Sequence, residues 1–143
     1  MIVKADVNNH SDIINLGTKY DVDFQKHYDF SLFHSDYRNI YIYLVDNMVV
    51  GFCIIENTID ESNLLLIYVD KDYRKKHIAT KLMNHYFNNL NSSIKRVLLE
   101  VSINNKSAIS LYEKLGFKCI NVRKNYYKDG SDAMIMERIV NNE

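Results

Sequence analysis

The stretch LLLIYVDKDYRKKHIATKLM, Leu64–Met83, changes its period partway along. Leu64 to Val69 is a continuous apolar run of strand length. Ile78, Ala79, Leu82 and Met83 then recur at helical spacing, and the same stripe continues through Tyr86, Phe87 and Leu90. After the helix the apolar run RVLLEVSI, Arg96 to Ile103, returns to strand. A strand, an amphipathic helix and a second strand read as one β-helix-β crossover (Leu64 to Ile103), and such connections are right-handed.

Upstream, Ile2 to Ala5 reads as a short edge strand, and Asn8 to Arg38 as one or two helices through Ile13, Ile14, Leu16, Tyr20 and Phe24. Asn39–Val45 and Met48–Glu56 are β-rich runs joined at Asp46-Asn47, a hairpin signal. Downstream, Asn105 to Leu115 predicts a second helix with Ala108, Leu111, Tyr112 and Leu115 inward, ended by Gly116. Phe117–Arg123 and Ala133–Ile139 predict a closing hairpin around Lys128-Asp129-Gly130-Ser131. The expected fold is α+β: a mixed, mostly antiparallel sheet of about seven strands flanked by about four helices, in one domain. It is not a doubly wound nucleotide fold.

Composition limits the function. The 143 residues are 47% hydrophobic and 25% charged, with a formal net charge of +0. That is enough for one compact core, and it lacks the basic excess that nucleic acid or a membrane surface would select. Residues Met1 to His10 lack the apolar core of a signal peptide, and the apolar run Met48–Ile55 is too short to span a bilayer. A cytoplasmic protein is expected. The two cysteines, Cys53 and Cys119, lie in apolar strand-like runs and are expected to be buried, reduced thiols. The five histidines lack metal-ligand spacing, so no metal site is expected. Proline is absent and only four glycines occur, so each glycine is expected to mark a backbone position that requires it.

Five features could carry chemistry, and each has an ordinary structural explanation beside it. YRKKHIAT, Tyr73–Thr80, is either a solvated basic helix start or an anion site, where open N–H groups and the helix dipole meet Arg74, Lys75 and Lys76. Glu100 is either a strand glutamate paired with an exposed lysine or a general base. If partly buried, desolvation would raise its pKa from about 4.3 toward neutrality. Tyr112 is either core packing or a phenol that protonates a leaving group. Of Asn104 and Asn105, one is an N-cap and the other has a free amide. Of Tyr126 and Tyr127, one packs inward and the other is a hairpin-end aromatic or a substrate wall.

Taken together in this order and spacing, these residues resemble the GCN5-related N-acetyltransferase (GNAT) family. Arg74-x-x-His77-x-Ala79 matches its Gln/Arg-x-x-Gly-x-Gly/Ala signature, and LEVSINNKSAISLYEKLGFK (Leu99–Lys118) is similar to the segment holding its cofactor-side asparagine and catalytic tyrosine. RKNYYKDGSDAMIM (Arg123–Met136) is similar to the closing hairpin of the branch that acetylates protein N-termini, the ribosomal-protein alanine N-acetyltransferase (RimI-like) type. The likeness is detailed from Leu64 to Ile139 and rests on element order before that.

The resemblance implies acetyl-CoA as cosubstrate, with no metal. It implies that Ile67, Tyr68 and Val69 line the pantetheine arm. The turn from Arg74 through Lys75, Lys76, His77, Ile78, Ala79 and Thr80 would hold the pyrophosphate, the N–H groups from Lys75 to Thr80 providing the contacts. Asn105 would touch the cofactor, Glu100 would act as base and Tyr112 as acid, and Tyr126 and Tyr127 would meet the acceptor. The acceptor it implies is a primary amine, first a protein N-terminus and alternatively a small amine such as a polyamine, amino acid or aminoglycoside, on a monomer or homodimer. A non-catalytic acyl-CoA-binding module is a further alternative. His77 stands where the family usually has glycine, and histidine tolerates positive φ better than most residues.

Overall fold

The computed structural model of the chain describes residues 1–28, 35 and 37–140. The chain divides into two compact units, one of Met1–Asn57 with Leu66–Leu90, the other of Thr58–Leu65 with Asn91–Glu143.

The first unit holds β1 (Ile2–Lys4), α1 (His10–Tyr20), α2 (Phe24–His27), β2 (Arg38–Val45), β3 (Met48–Asn57), the end of β4 (Glu61–Val69) and α3 (Ile78–Asn88). Its strands follow the order β1-β2-β3-β4. The β2–β3 hairpin turns where the sequence predicts, with Asp46 at φ 50 and Asn47 at φ 63. Two left-handed residues in succession match the right-handed strand twist, and Asp and Asn accept that conformation at low cost. Alternation along β2 and β3 sends Ile40, Ile42, Phe52 and Ile54 to one face, where they pack with Ala5, Ile13, Leu16 and Phe24. The alternate residue Tyr41 stacks edge-on against His85 of α3 at 4.8 Å. α3 buries the stripe read from the sequence, Ile78, Leu82, Met83 and Tyr86. Gly51 allows β3 to approach closely: a Cβ there would lie 3.3 Å from both Ile78 and the Tyr68 carbonyl oxygen.

The second unit holds the start of β4, β5 (Arg96–Ser102), α4 (Lys106–Lys114), β6 (Lys118–Arg123) and β7 (Ala133–Ile139), in the order β4-β5-β7-β6. β4 pairs in parallel with β5 from Glu61↔Arg96 to Leu64↔Leu99, while β7 is antiparallel to both β5 and β6. The crossover therefore joins parallel strands, as the change of period at Leu64–Met83 predicts. Gly116, at φ +94, ends α4 by donating its N–H to the Glu113 carbonyl at 3.1 Å.

Two expectations need correction. β4 begins at Glu61, before the apolar run, because Arg96 reaches Glu61 at 3.2 Å and Glu137 at 2.6 Å and so ties down a polar strand start. Cys119 is exposed, not buried, since β6 pairs only with β7 and every one of its residues is exposed; Cys53 is buried as expected. Burial pushes the Cys53 thiol up to about 12, which leaves it inert as a nucleophile. Of the aromatic stretch HYDFSLFHSDY, Asp29–His34 and Asp36 lie outside the described residues. No helix among the described residues is long and apolar enough to cross a membrane.

Candidate active site

In the first unit the predicted anion turn is a backbone structure. β4 ends at Val69, a single 3₁₀ turn covers Lys71–Tyr73, and α3 starts at Ile78. Lys75 and His77 both adopt left-handed backbone, at φ 64 and φ 60. His77 is the N-cap residue of α3, and its carbonyl accepts the first helical bond, from Lys81, at 3.0 Å. No side chain caps this helix start, so the N–H groups of Ile78, Ala79 and Thr80 point out of the first turn unmatched within the helix. Such a turn, at the positive end of a helix dipole, could hold an anion.

Asp70 roots that turn. Its N–H donates to Val50 O at 2.8 Å, one carboxylate oxygen accepts from the Asp72 N–H at 3.1 Å, and the other accepts from Lys19 Nζ at 3.1 Å. The Asp72 N–H first, and the Lys19 ammonium after it, hold this carboxyl below the usual range. Arg74 turns back on β4: Nε donates to Val69 O at 3.1 Å and the guanidinium lies 5.5 Å from the centre of the Tyr68 ring. The Tyr68 ring also meets Tyr20 of α1, ring centres 5.3 Å apart. Arg74 therefore braces the turn against the end of β4. Lys76 leans over Tyr73 at 5.3 Å. Ile67, Tyr68 and Val69 form the half-buried end of β4.

The second unit carries the side-chain candidates on β5, α4 and the last hairpin. Glu100 is not the desolvated carboxylate that the base reading would favour. It is exposed, and Arg123 Nη1 lies 3.4 Å from its carboxylate. Its flanking residues Leu99 and Val101 are buried, so strand alternation itself turns Glu100 outward. Tyr112 is buried at 7% exposure, and its ring packs edge-on against Phe117 at 5.8 Å. Asn105 is the N-cap of α4: its Oδ1 accepts from the Ala108 N–H at 3.3 Å. Asn104 is thus the residue whose side chain does not cap. Tyr126 is exposed and Tyr127 half-buried, their rings edge-on at 5.1 Å, as the alternating reading predicts.

Asp70, Lys19 and Arg123 escaped sequence reasoning, because their partners lie far along the chain and only the folded structure brings them together. Lys75 is expected in the turn, but its left-handed backbone left no sign, because lysine has no preference for it. Among the described residues no group of three or more metal-ligating side chains assembles.

Comparison with known proteins relates the sequence and the fold to a family. The family model described as an acetyltransferase (GNAT) domain matches residues 36–119. An N-alpha-acetyltransferase of Saccharolobus solfataricus is 34% identical over 112 residues, 68% of this chain and 67% of that protein. The ribosomal protein bS18-alanine N-acetyltransferase of Escherichia coli K12 is 38% identical over 92 residues; the match spans 62% of its length and 62% of this chain. The crystal structure of the Escherichia coli ribosomal-protein-S18-alanine N-acetyltransferase superimposes with a TM-score of 0.86 at 25% identity, covering 98% of this chain and 93% of that one.

Proposed function

The chain belongs to the GNAT acetyltransferase family, and on that premise we propose that it transfers acetyl from acetyl-CoA to the α-amino group of a protein N-terminus. The observation that carries the cofactor half is the left-handed cap at His77, which opens α3 with unmatched N–H groups. A pyrophosphate is the anion such a turn suits. The acceptor half is supported by the likeness to an N-alpha-acetyltransferase over two thirds of both chains. Ile67 to Val69 would line the pantetheine, and Asn105 would offer its amide Nδ2 to the cofactor, its Oδ1 being spent on the cap.

The chemistry follows from the second unit. An α-ammonium with a pKa of about 8 needs little help to lose its proton, so a solvent-facing Glu100 suffices as acceptor, directly or through a water. The amine nitrogen attacks the thioester carbonyl, and a backbone N–H of β4 meets the oxyanion. The carbon–sulfur bond breaks, the Tyr112 hydroxyl protonates the thiolate, and the proton that the nitrogen sheds as the amide forms returns through solvent to the tyrosinate. Tyr126 offers an exposed face to the acceptor's first residues. A cytoplasmic enzyme of one domain fits the reading.

The test is acetyl transfer to peptides beginning with Ala, Ser or Met. Turnover on at least one is expected. Activity restricted to small amines overturns the N-terminal reading, and acetyl-CoA binding without turnover on any amine supports a binding module instead.

A further inference from the structure

Arg123 ends β6 in register with Ala133, which is itself opposite Ser102 of β5. Glu100 and Ser102 on β5 therefore share a face with Arg123, and the guanidinium crosses β7 to reach Glu100. Its Nη1 lies 3.4 Å from the carboxylate, and its Cζ lies 5.6 Å from the centre of the Tyr126 ring. Its side chain is 53% exposed. Nε and Nη2 have no hydrogen-bond partner among the described residues, so one edge of the fork is open.

Arg123, Lys124 and Lys128 face solvent beside two carboxylates of the same hairpin, each with one oxygen bonded within the hairpin. Asp129 accepts from the Ser131 N–H at 2.8 Å and the Ser131 hydroxyl at 2.5 Å, and Asp132 accepts from the Asn125 N–H at 2.9 Å. An incoming ammonium approaching Glu100 therefore meets a guanidinium already there. An acceptor that brings its own carboxylate gives that guanidinium a second anionic partner and frees Glu100 for the amine.

Building on the N-terminal reading above, we propose that Arg123 is a specificity-determining residue that selects N-termini with an acidic side chain at the second or third position. A carboxylate matches the two-pronged geometry of the open guanidinium edge, and the adjacent Tyr126 ring holds that edge in orientation.

The experiment compares peptides sharing one first residue and differing at positions two and three: Glu-Glu, Gln-Gln or Lys-Lys. For the natural enzyme kcat/KM falls in that order, with Glu-Glu preferred over Gln-Gln by about tenfold, and the ratio shrinks as salt is raised. Arg123→Gln brings the Glu-Glu to Gln-Gln ratio close to one, and Arg123→Lys keeps part of it. The ratio within each protein cancels any general loss from disturbing Glu100. Equal rates on all three peptides, or a preference that survives Arg123→Gln, overturns this inference and leaves N-terminal acetylation intact. Failure to acetylate any of them overturns both.

Discussion

In the turn after β4, Lys75 and His77 adopt left-handed backbone at φ 64 and φ 60, a conformation that glycine takes freely and they do not. In β5 and α4, Glu100 and Tyr112 occupy regular strand and helix. The first region would work through where its N–H groups point, so the side chains on it can vary as long as the backbone bends correctly. The second would work through which side chains it presents, on backbone that many sequences could form. On this reading one part would tolerate the loss of its glycines, and the other would not tolerate the loss of its phenol.

The substitution that should separate the regions most sharply is Tyr112→Phe. We expect kcat to fall by about 10²- to 10⁴-fold, with acetyl-CoA affinity nearly unchanged. Equal losses in rate and binding would make Tyr112 structural. Glu100→Gln comes next. Its expected cost is tens-fold in kcat/KM, roughly the lower end of general-base effects, because an exposed carboxylate is replaceable in part by water.

Asp70→Ala tests the first region and should show in binding. Losing the root of the turn costs ~1 kcal/mol, as loss of a helix cap does, which reads as about fivefold weaker acetyl-CoA binding by titration. Asp70 also makes a pH prediction. Its carboxyl is depressed, chiefly by the Asp72 N–H and then by Lys19, so it adds stability above its unfolded pKa of about 3.9. That contribution is lost as pH falls through the lower folded value. Asp70→Asn should therefore flatten the acid limb of a stability-against-pH profile below about pH 4. An unaltered limb would mean that the Lys19–Asp70 pair does not matter to folding.

The smallest effect is expected from His77→Gly. Relieving a left-handed non-glycine residue stabilises by about 1 kcal/mol and should alter acetyl-CoA affinity by less than about tenfold. Tightening by orders of magnitude would show that the histidine impairs the turn and would blur the contrast between the regions.

Much of the first region was legible because local chemistry decides it. The change of period fixed the start of α3 at Ile78, and Asp46-Asn47 fixed the hairpin, since both depend on neighbours in sequence. β7 likewise runs over Ala133–Ile139, as expected for the closing hairpin. What stayed hidden depends on strands that meet late. The exposure of Cys119 follows from β6 pairing on one side only, and the contact between Arg123 and Glu100 follows from the β5–β7–β6 register. The outward direction of Glu100 was open to sequence reasoning as one of two faces, and the burial of Leu99 and Val101 chose between them.

The most direct test of the whole account uses one peptide in two forms, each with an internal lysine, one with a free α-amine and one with that amine blocked. Incubated with the enzyme and acetyl-CoA and read by mass spectrometry, the free peptide should gain one acetyl group at its first residue, and the blocked peptide none. Acetylation of the lysine in the blocked form, or no transfer to the free form, would contradict an N-terminal acetyltransferase.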